Sequence, residues 1–120
     1  MSTASLIAKK INAAEYRTIY CHFDGYPKYM LKLLSEHYAS EERVDELLDL
    51  GDASSLTAKL YPHPGYPHSF ENPQEAISVF YGRDRGETDR EASICSLADL
   101  KKSSVDFVYI YDDEWKVLWR

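Results

Sequence analysis

The residues best suited to chemistry lie in one short stretch, IYCHFDGYP at positions 19–27. A thiol, an imidazole and a carboxylate occur there at Cys21, His22 and Asp24, and such groups can ligate zinc. Zinc ligands usually come in pairs at short spacing, such as CxxC, whereas adjacent residues of a strand point to opposite faces. The other histidines that could complete a shell are His37, His63 and His68. They form no second pair with a cysteine, so we predict no metal site.

The same stretch could hold a cysteine nucleophile, with His37 as its base and an aspartate to orient that base. Alternation along a strand places Cys21 on one face with Ile19 and Phe23. Thiols buried in apolar surroundings are unreactive, because burial disfavours the thiolate. We therefore predict a core cysteine, no catalytic residue and no cofactor, and an enzyme is the less favoured class.

Two polar segments remain as candidates for binding a partner or a ligand. One is the junction between the first strand and the following helix, and the other is GRDRGE at 82–87. Arginine forks bind carboxylates and phosphates in a bidentate manner, so the second segment could dock an anion. The alternatives are a solvated strand end and a charged hairpin turn held by its own ion pairs. The candidate residues are His22, Asp24, Tyr26, Arg83, Asp84 and Arg85.

The overall charge favours a protein partner over nucleic acid. The formal net charge is −6 and the basic residues are scattered, whereas non-specific nucleic-acid binding needs a basic face. An acidic chain can instead bind a basic protein surface, and ten tyrosines in 120 residues would supply anchors. The acids expected to face such a partner lie on the second predicted helix, for which an ordinary solvated face is the alternative. They are Glu41, Glu42, Asp45, Glu46 and Asp49.

Apolar periodicity and capping residues predict the elements around these segments. A strand at 16–23 precedes a helix that begins at Pro27, and Ser40 caps a second helix that ends near Gly51. Residues 52–60 are expected to add a helical turn. The remaining predicted elements are a proline-rich loop at 61–73, strands at 77–82 and 92–95, a helix opened by a capping box at Ser96 and Asp99, and a C-terminal hairpin that turns at 112–114.

This order of elements predicts an α+β fold of two layers. We expect a mainly antiparallel sheet of four to five strands with the helices packed on one face. Residues 1–120 are predicted as a single domain, with 1–15 forming a flexible or short helical N-terminal segment. The chain has no apolar run of the ~20 residues needed to span a bilayer and no secretory signal pattern. Cys21 and Cys95 are therefore expected to be free buried thiols.

Four segments resemble motifs of a family of small, mostly uncharacterised proteins of phages and prophages. They are IYCHFDGYP at 19–27, EHY at 36–38, LGDASSL at 50–56 and YGRDRGE at 81–87. The resemblance covers most of the chain from 16 to 87 and extends more loosely into the C-terminal hairpin. It implies a phage or mobile-element origin and a location in the cytoplasm of the bacterial host cell. It brings no activity and no catalytic residue with it.

With that origin, the leading hypothesis is a non-enzymatic accessory protein that binds and modulates or inhibits a host or defence protein. A CRISPR or restriction complex is an example of such a partner, bound through its basic surface, with no direct contact to nucleic acid or membrane. The alternative is a small-ligand or nucleotide-binding protein, or an enzyme, with a site where Asp24 and Tyr26 approach Arg83 and Arg85. A third possibility is a structural or dimerising role through the C-terminal hairpin. A concave polar pocket between the two segments would favour a ligand, and a flat surface would favour a partner protein.

Overall fold

The computed structural model describes residues 2–120, which form seven strands and four helices. The strands are β1 (Ser5–Lys10), β2 (Tyr16–Cys21), β3 (Ala53–Ser55), β4 (Val79–Phe80), β5 (Ser93–Cys95), β6 (Phe107–Asp112) and β7 (Glu114–Val117). The helices are α1 (Pro27–His37), α2 (Glu41–Asp49), α3 (Tyr81–Arg85) and α4 (Leu97–Lys102). None of the helices in this described part of the chain is long and apolar enough to cross a membrane.

All seven strands belong to one mixed sheet in the order β4-β3-β2-β1-β6-β7, with β5 also paired to β2. Pairing is antiparallel for β1 with β2, β2 with β5, β3 with β4, and β6 with β7. It is parallel for β1 with β6 and for β2 with β3. The α+β class is confirmed, and the sheet is larger and more mixed than the sequence predicts.

The main core lies between the sheet and helices α1 and α2. Met30 and Leu34 of α1 are fully buried in one cluster with Leu47 of α2 and with Ile7 and Tyr109 of the sheet. These positions lie on one stripe of each helix, which is the pattern that covers a sheet face. α1 and α2 therefore pack on one face, as predicted.

Helix α4 adds a smaller layer on the opposite face. Its Leu100 is fully buried with Ala8 of β1 and Val108 of β6, which alternate with the residues facing α1 and α2. The capping box predicted at Ser96 and Asp99 opens this helix, with both of its hydrogen bonds formed. The central strands are therefore covered on both sides.

The N-terminal segment corrects one prediction. Residues 1–15 are predicted to be flexible or briefly helical, but Ser5–Lys10 form β1, between β2 and β6 in the sheet. Ile7 and Ala8 are both fully buried although they point to opposite faces. A short apolar run that is buried on both faces shows no alternation, which is why its sequence does not look like a strand.

The segments before and within GRDRGE also differ from prediction. Residues 52–60, predicted as a helical turn, contain β3. The strand predicted at 77–82 shortens to β4, and the chain then enters α3, so that most of GRDRGE is helical rather than a hairpin turn. The Asp84 carboxylate accepts a hydrogen bond of 2.8 Å from the backbone N–H of Phe80 at the start of α3. Gly86 ends this helix with φ 76°, a left-handed conformation that glycine adopts without strain.

Candidate functional site

A surface cleft of about 480 Å³ lies where the parallel strands β2 and β3 end. The loop that joins β3 to β4 and the short helix α3 form its other side. Both segments singled out by sequence contribute to it, because His22 follows β2 and Arg85 ends α3. The side chains that matter most for its chemistry are His22, Phe23, Ser54, Phe70, Tyr81 and Arg85.

The turn after β2 is held so that His22 and Phe23 face this cleft. Their backbone N–H groups donate to the carbonyls of Ala53 and Ser54, both at 3.0 Å, and thereby extend the pairing of β2 with β3. Gly25 then passes close to the N-terminal strand, where an added Cβ would lie 2.8 Å from the carbonyl oxygen of Thr3. Glycine is therefore required at this crossing, and the turn is a structural element as well as a wall of the cleft.

The imidazole of His22 is fixed by two aromatic neighbours. The Tyr20 hydroxyl shares a hydrogen bond of 2.7 Å with Nδ1, and the Phe23 ring meets the imidazole edge-on with centroids 4.5 Å apart. Within residues 2–120, the Nε2 atom of His22 has no hydrogen-bond partner. The ring is thus oriented, with one nitrogen left for a bound group.

Arg85 provides the positive charge of the cleft. Its guanidinium lies 4.7 Å from the centre of the Phe70 ring, which is the geometry of a cation–π contact. Its only charged neighbour among the described residues is Glu87, at 3.5 Å, and the Arg85 side chain remains about half exposed. Arg85 therefore has donors that solvent or a ligand can reach.

The aromatic wall continues from Phe70 to Tyr81, whose ring centres are 5.5 Å apart. The guanidinium of Arg90 covers the Tyr81 ring at 4.2 Å, and the same Arg90 lies 3.2 Å from the Asp52 carboxylate. Burial raises the pKa of Asp52, although the Tyr20 N–H and Arg90 act against that shift. The Arg90–Asp52 ion pair therefore stabilises this wall from outside the cleft.

Arg83 and Asp84 belong to a different environment, which we call the inner cluster (His68, Arg83 and Asp84). Arg83 Nε donates to Asp84 Oδ1 at 2.9 Å, and the same guanidinium donates to the carbonyls of Leu60 and Ser78. The Asp84 side chain is only 4% exposed. Burial alone would raise the pKa of Asp84, but the hydrogen bonds from Arg83 and the Phe80 N–H outweigh it and lower that pKa.

His68 completes the inner cluster without being free for proton transfer. Its Nδ1 accepts a hydrogen bond of 2.9 Å from the backbone N–H of Gln74, so the ring proton is on Nε2. That Nε2 lies 3.3 Å from Asp84 Oδ2, at an angle too poor for a hydrogen bond. Both side chains are 4% exposed. The inner cluster therefore anchors the proline-rich loop onto α3 and resembles a catalytic dyad only in composition.

Cys21 and its neighbours show no sign of nucleophile or metal chemistry. The thiol is fully buried and unpaired with Cys95, which is partly exposed. Burial raises the pKa of Cys21 to about 12, and such a thiol is unreactive at neutral pH. Across residues 2–120, no three His, Cys, Asp or Glu side chains come together as metal ligands.

The acidic helix α2 is largely neutralised within the molecule. Glu41 and Asp45 both contact Lys9 of β1, at 2.9 and 2.8 Å, and Asp49 contacts Arg17 of β2 at 2.8 Å. Burial disfavours the charge of Lys9, but its hydrogen bonds with Asp45 and Glu41 prevail and raise the Lys9 pKa. Glu46 pairs with Arg43 of the same helix. Of the five acids proposed to face a partner, Glu42 is the one without an ion pair in the described structure.

Asp24 and Tyr26 do not line the cleft with His22. Asp24 adopts φ 57° in the turn, a left-handed conformation that aspartate tolerates better than most residues. Tyr26 is 41% exposed and contributes to a second groove, of about 590 Å³, along the outer side of α1 with Tyr29 and Leu33. Of the two segments, His22 and Arg85 therefore line one cleft, Asp24 and Tyr26 do not, and Arg83 and Asp84 bond to each other.

Phe70, Tyr81 and Ser54 also line the cleft, although the sequence does not predict them as site residues. Phe70 is positioned by its backbone N–H, which donates to the Asp84 carbonyl at 3.0 Å, and this contact joins segments that are distant in the chain. The signal that could have found it was the aromatic content of the proline-rich loop, because a loop with apolar rings must pack against something.

Comparisons of the chain with family models, curated proteins and solved structures gave no match. The resemblance to phage and prophage motifs therefore stays a prediction.

Proposed function

We propose that this protein is a non-enzymatic accessory protein of a phage or prophage that binds and modulates a host or defence protein, such as a CRISPR or restriction complex. The motif resemblance supports the origin, and the surface supports a function in binding. A buried unreactive Cys21 and an inner cluster in which the His68 and Asp84 side chains are each only 4% exposed offer little for catalysis.

The observation that carries this proposal is a set of large aromatic side chains left at the surface. Tyr26, Tyr61 and Tyr66 are 41%, 53% and 73% exposed. Tyrosine provides much contact area at low entropic cost and is enriched among the residues that dominate protein interfaces. These three residues are the anchors that we assign to the partner-binding surface.

Charge contributes less to partner binding than the acidic composition of the chain suggests. Most acids of α2 are paired with Lys9, Arg17 or Arg43, so their charge is partly offset within the molecule. Glu42 is exposed and has no such pair. A basic partner would therefore be attracted by the net charge of −6 and held mainly by aromatic contacts.

The test is affinity purification of the tagged protein from a bacterial host, followed by mass spectrometry. The triple variant Tyr26→Ser, Tyr61→Ser, Tyr66→Ser should lose the captured partner, whereas the matched triple Tyr→Phe variant, which keeps the rings, should retain most of it. Glu42→Lys should weaken capture more than Glu114→Lys on the C-terminal hairpin. Equal capture by all of these variants would contradict the proposal.

A second candidate function is the binding of a small ligand or nucleotide. The observation that favours it is the concave cleft, which is lined by His22 and Arg85 together with aromatic side chains. Its volume lies in the range of roughly 300–1,000 Å³ typical of small-molecule sites. A concave surface between the two motifs is the arrangement expected for a ligand rather than for a flat protein interface.

A further inference from the structure

The walls of the cleft are suited to a planar group. Phe23, Phe70 and Tyr81 all line it, and Phe23 is 42% exposed although its backbone N–H is bonded to Ser54. Exposed rings beside a concavity are platforms on which an aromatic ring can stack, whatever its exact substituents. An aliphatic ligand would use this arrangement less fully.

The polar groups of the cleft are suited to an anion. The Arg85 guanidinium is already stacked on Phe70 and so loses little freedom when it binds. Its contact with Glu87 is a long one, at 3.5 Å between exposed groups, and such a pair is easily exchanged for a better-placed anion. The oriented imidazole of His22 and the hydroxyls of Ser54 and Ser55 add donors on the opposite side.

The charges around the cleft favour a ligand with one anionic group over a ligand with several. Arg83 is held by Asp84 and by two carbonyls, and Arg90 is held by Asp52. Arg85 is the one arginine among the described residues that line the cleft, and its side chain is about half exposed. A ligand with a chain of phosphates would place its further charges next to Glu87 and against the net negative charge of the protein.

We propose that the cleft binds a planar aromatic ring carrying a single phosphate group, with nucleoside monophosphates as the chemical class. The ring stacks against Phe23, Phe70 or Tyr81, and the phosphate meets Arg85 and the Nε2 atom of His22. This inference rests on the second candidate function given above, and it names the ligand of that same site.

The experiment is a titration of the ¹⁵N-labelled protein, followed by NMR, with AMP and UMP as probes. Adenosine, inorganic phosphate and ATP are the comparison ligands. We expect AMP and UMP to shift the backbone signals of residues 22–23, 54–55 and 81–87, with adenosine and phosphate each at least about tenfold weaker because each lacks one of the two contacts. Triphosphate should bind no better than monophosphate.

Two variants test the contacts with the ligand. Arg85→Gln should weaken AMP binding about tenfold or more, because it removes the anion contact. Phe70→Leu should weaken it about fivefold or more, because it removes a stacking ring together with the surface that orients Arg85. Lys116→Gln, which removes the same charge from the exposed surface of β7, should leave the affinity unchanged. Unshifted signals elsewhere in each spectrum show that the variant is folded.

Several results would overturn the inference. They are no shift at millimolar nucleotide, phosphate binding as tightly as AMP, Arg85→Gln and Lys116→Gln behaving alike, or a short oligonucleotide binding more tightly than the mononucleotides. Each leaves the partner-binding proposal standing, because that proposal is tested through Tyr26, Tyr61 and Tyr66 and not through Arg85. Conversely, loss of partner capture in the tyrosine variants says nothing against nucleotide binding.

Discussion

Two regions built from neighbouring residues of one motif differ sharply in what they do. In the inner cluster, Arg83 and Asp84 satisfy each other, and Asp84 is almost completely buried. In the cleft, Arg85 rests on Phe70 and is about half exposed. Successive residues of a helix are rotated by about 100°, so Arg83 and Arg85 lie roughly 200° apart around α3. Arg83 therefore bonds to Asp84 and to neighbouring carbonyls, whereas Arg85 faces the cleft.

The neighbouring arginines of the GRDRGE motif therefore have different functions. On a strand, residues two apart share a face, and Arg83 and Arg85 would act together. The helical turn separates them, so that one half of the motif stabilises the fold and the other half is available for binding. The following predictions test that division, beginning with the variant for which we expect the largest effect.

Asp84→Asn should have the largest effect on stability. It leaves Arg83, whose side chain is 24% exposed, without its counter-charge and weakens the acceptor of the Phe80 N–H. Together these losses should cost about 3 kcal/mol in the free energy of unfolding. Because the pKa of Asp84 is lowered in the folded state, its stabilisation is present above the unfolded carboxyl pKa of about 3.9 and is lost as the pH falls through the folded value. Denaturation by urea at a series of pH values should show the difference between wild type and variant shrinking below about pH 4. A difference that stays constant with pH would contradict the ionised pair.

Cys21 lies in the core just before the turn that lines the cleft. Cys21→Ala should lower the free energy of unfolding by about 1 kcal/mol, because it removes a small buried group. Since the Cys21 pKa is raised to about 12, a thiol reagent at neutral pH should label Cys95 first and Cys21 only after unfolding. Mass spectrometry of the labelled peptides measures both rates, and the Cys95→Ala variant isolates the slower one. Rapid labelling of Cys21 in the native protein would show that the turn opens or that the thiol is activated.

The acids of α2 also divide into paired and unpaired side chains, and we expect smaller changes in unfolding free energy there. Asp45→Asn removes a partner of the well-covered Lys9 and should cost about 0.5–1 kcal/mol, because the contact is only partly exposed to solvent. Glu42→Gln, which has no ion pair to break, should change the unfolding free energy by less than about 0.5 kcal/mol. Thermal or chemical denaturation of the two variants side by side measures the difference, and equal costs would mean that the ion pairs with β1 contribute nothing.

Much of the fold could be predicted from sequence because local signals were strong. Pro27 at the start of α1, the Ser40 cap of α2, the capping box of α4 and the β6–β7 hairpin are all present in the structure. β1 was missed because its apolar residues are buried on both faces, and its Lys9 is neutralised by acids more than 30 residues away in the chain. The short β4 was followed by a helix because the Asp84 carboxylate bonds the Phe80 N–H, a contact that strand propensity does not report.

The site was predicted only in part for a related reason. His22 and Arg85 could be proposed from their chemistry, but their meeting depends on the parallel pairing of β2 with β3 and on the loop that carries Phe70. The separation of Arg83 from Arg85 depends on the helical state of α3. Long-range pairing and a five-residue helix leave little trace in a single sequence.

The most direct test of the division is a paired measurement of unfolding free energy for Arg83→Gln and Arg85→Gln, by urea denaturation at pH 7. The two changes remove the same charge from positions two residues apart. We predict that Arg83→Gln loses about 2 kcal/mol, because Asp84 and the carbonyls of Leu60 and Ser78 lose their donor. Arg85→Gln should lose less than about 0.5 kcal/mol. Equal losses, or a larger loss for Arg85→Gln, would contradict the assignment of one arginine to the fold and the other to binding.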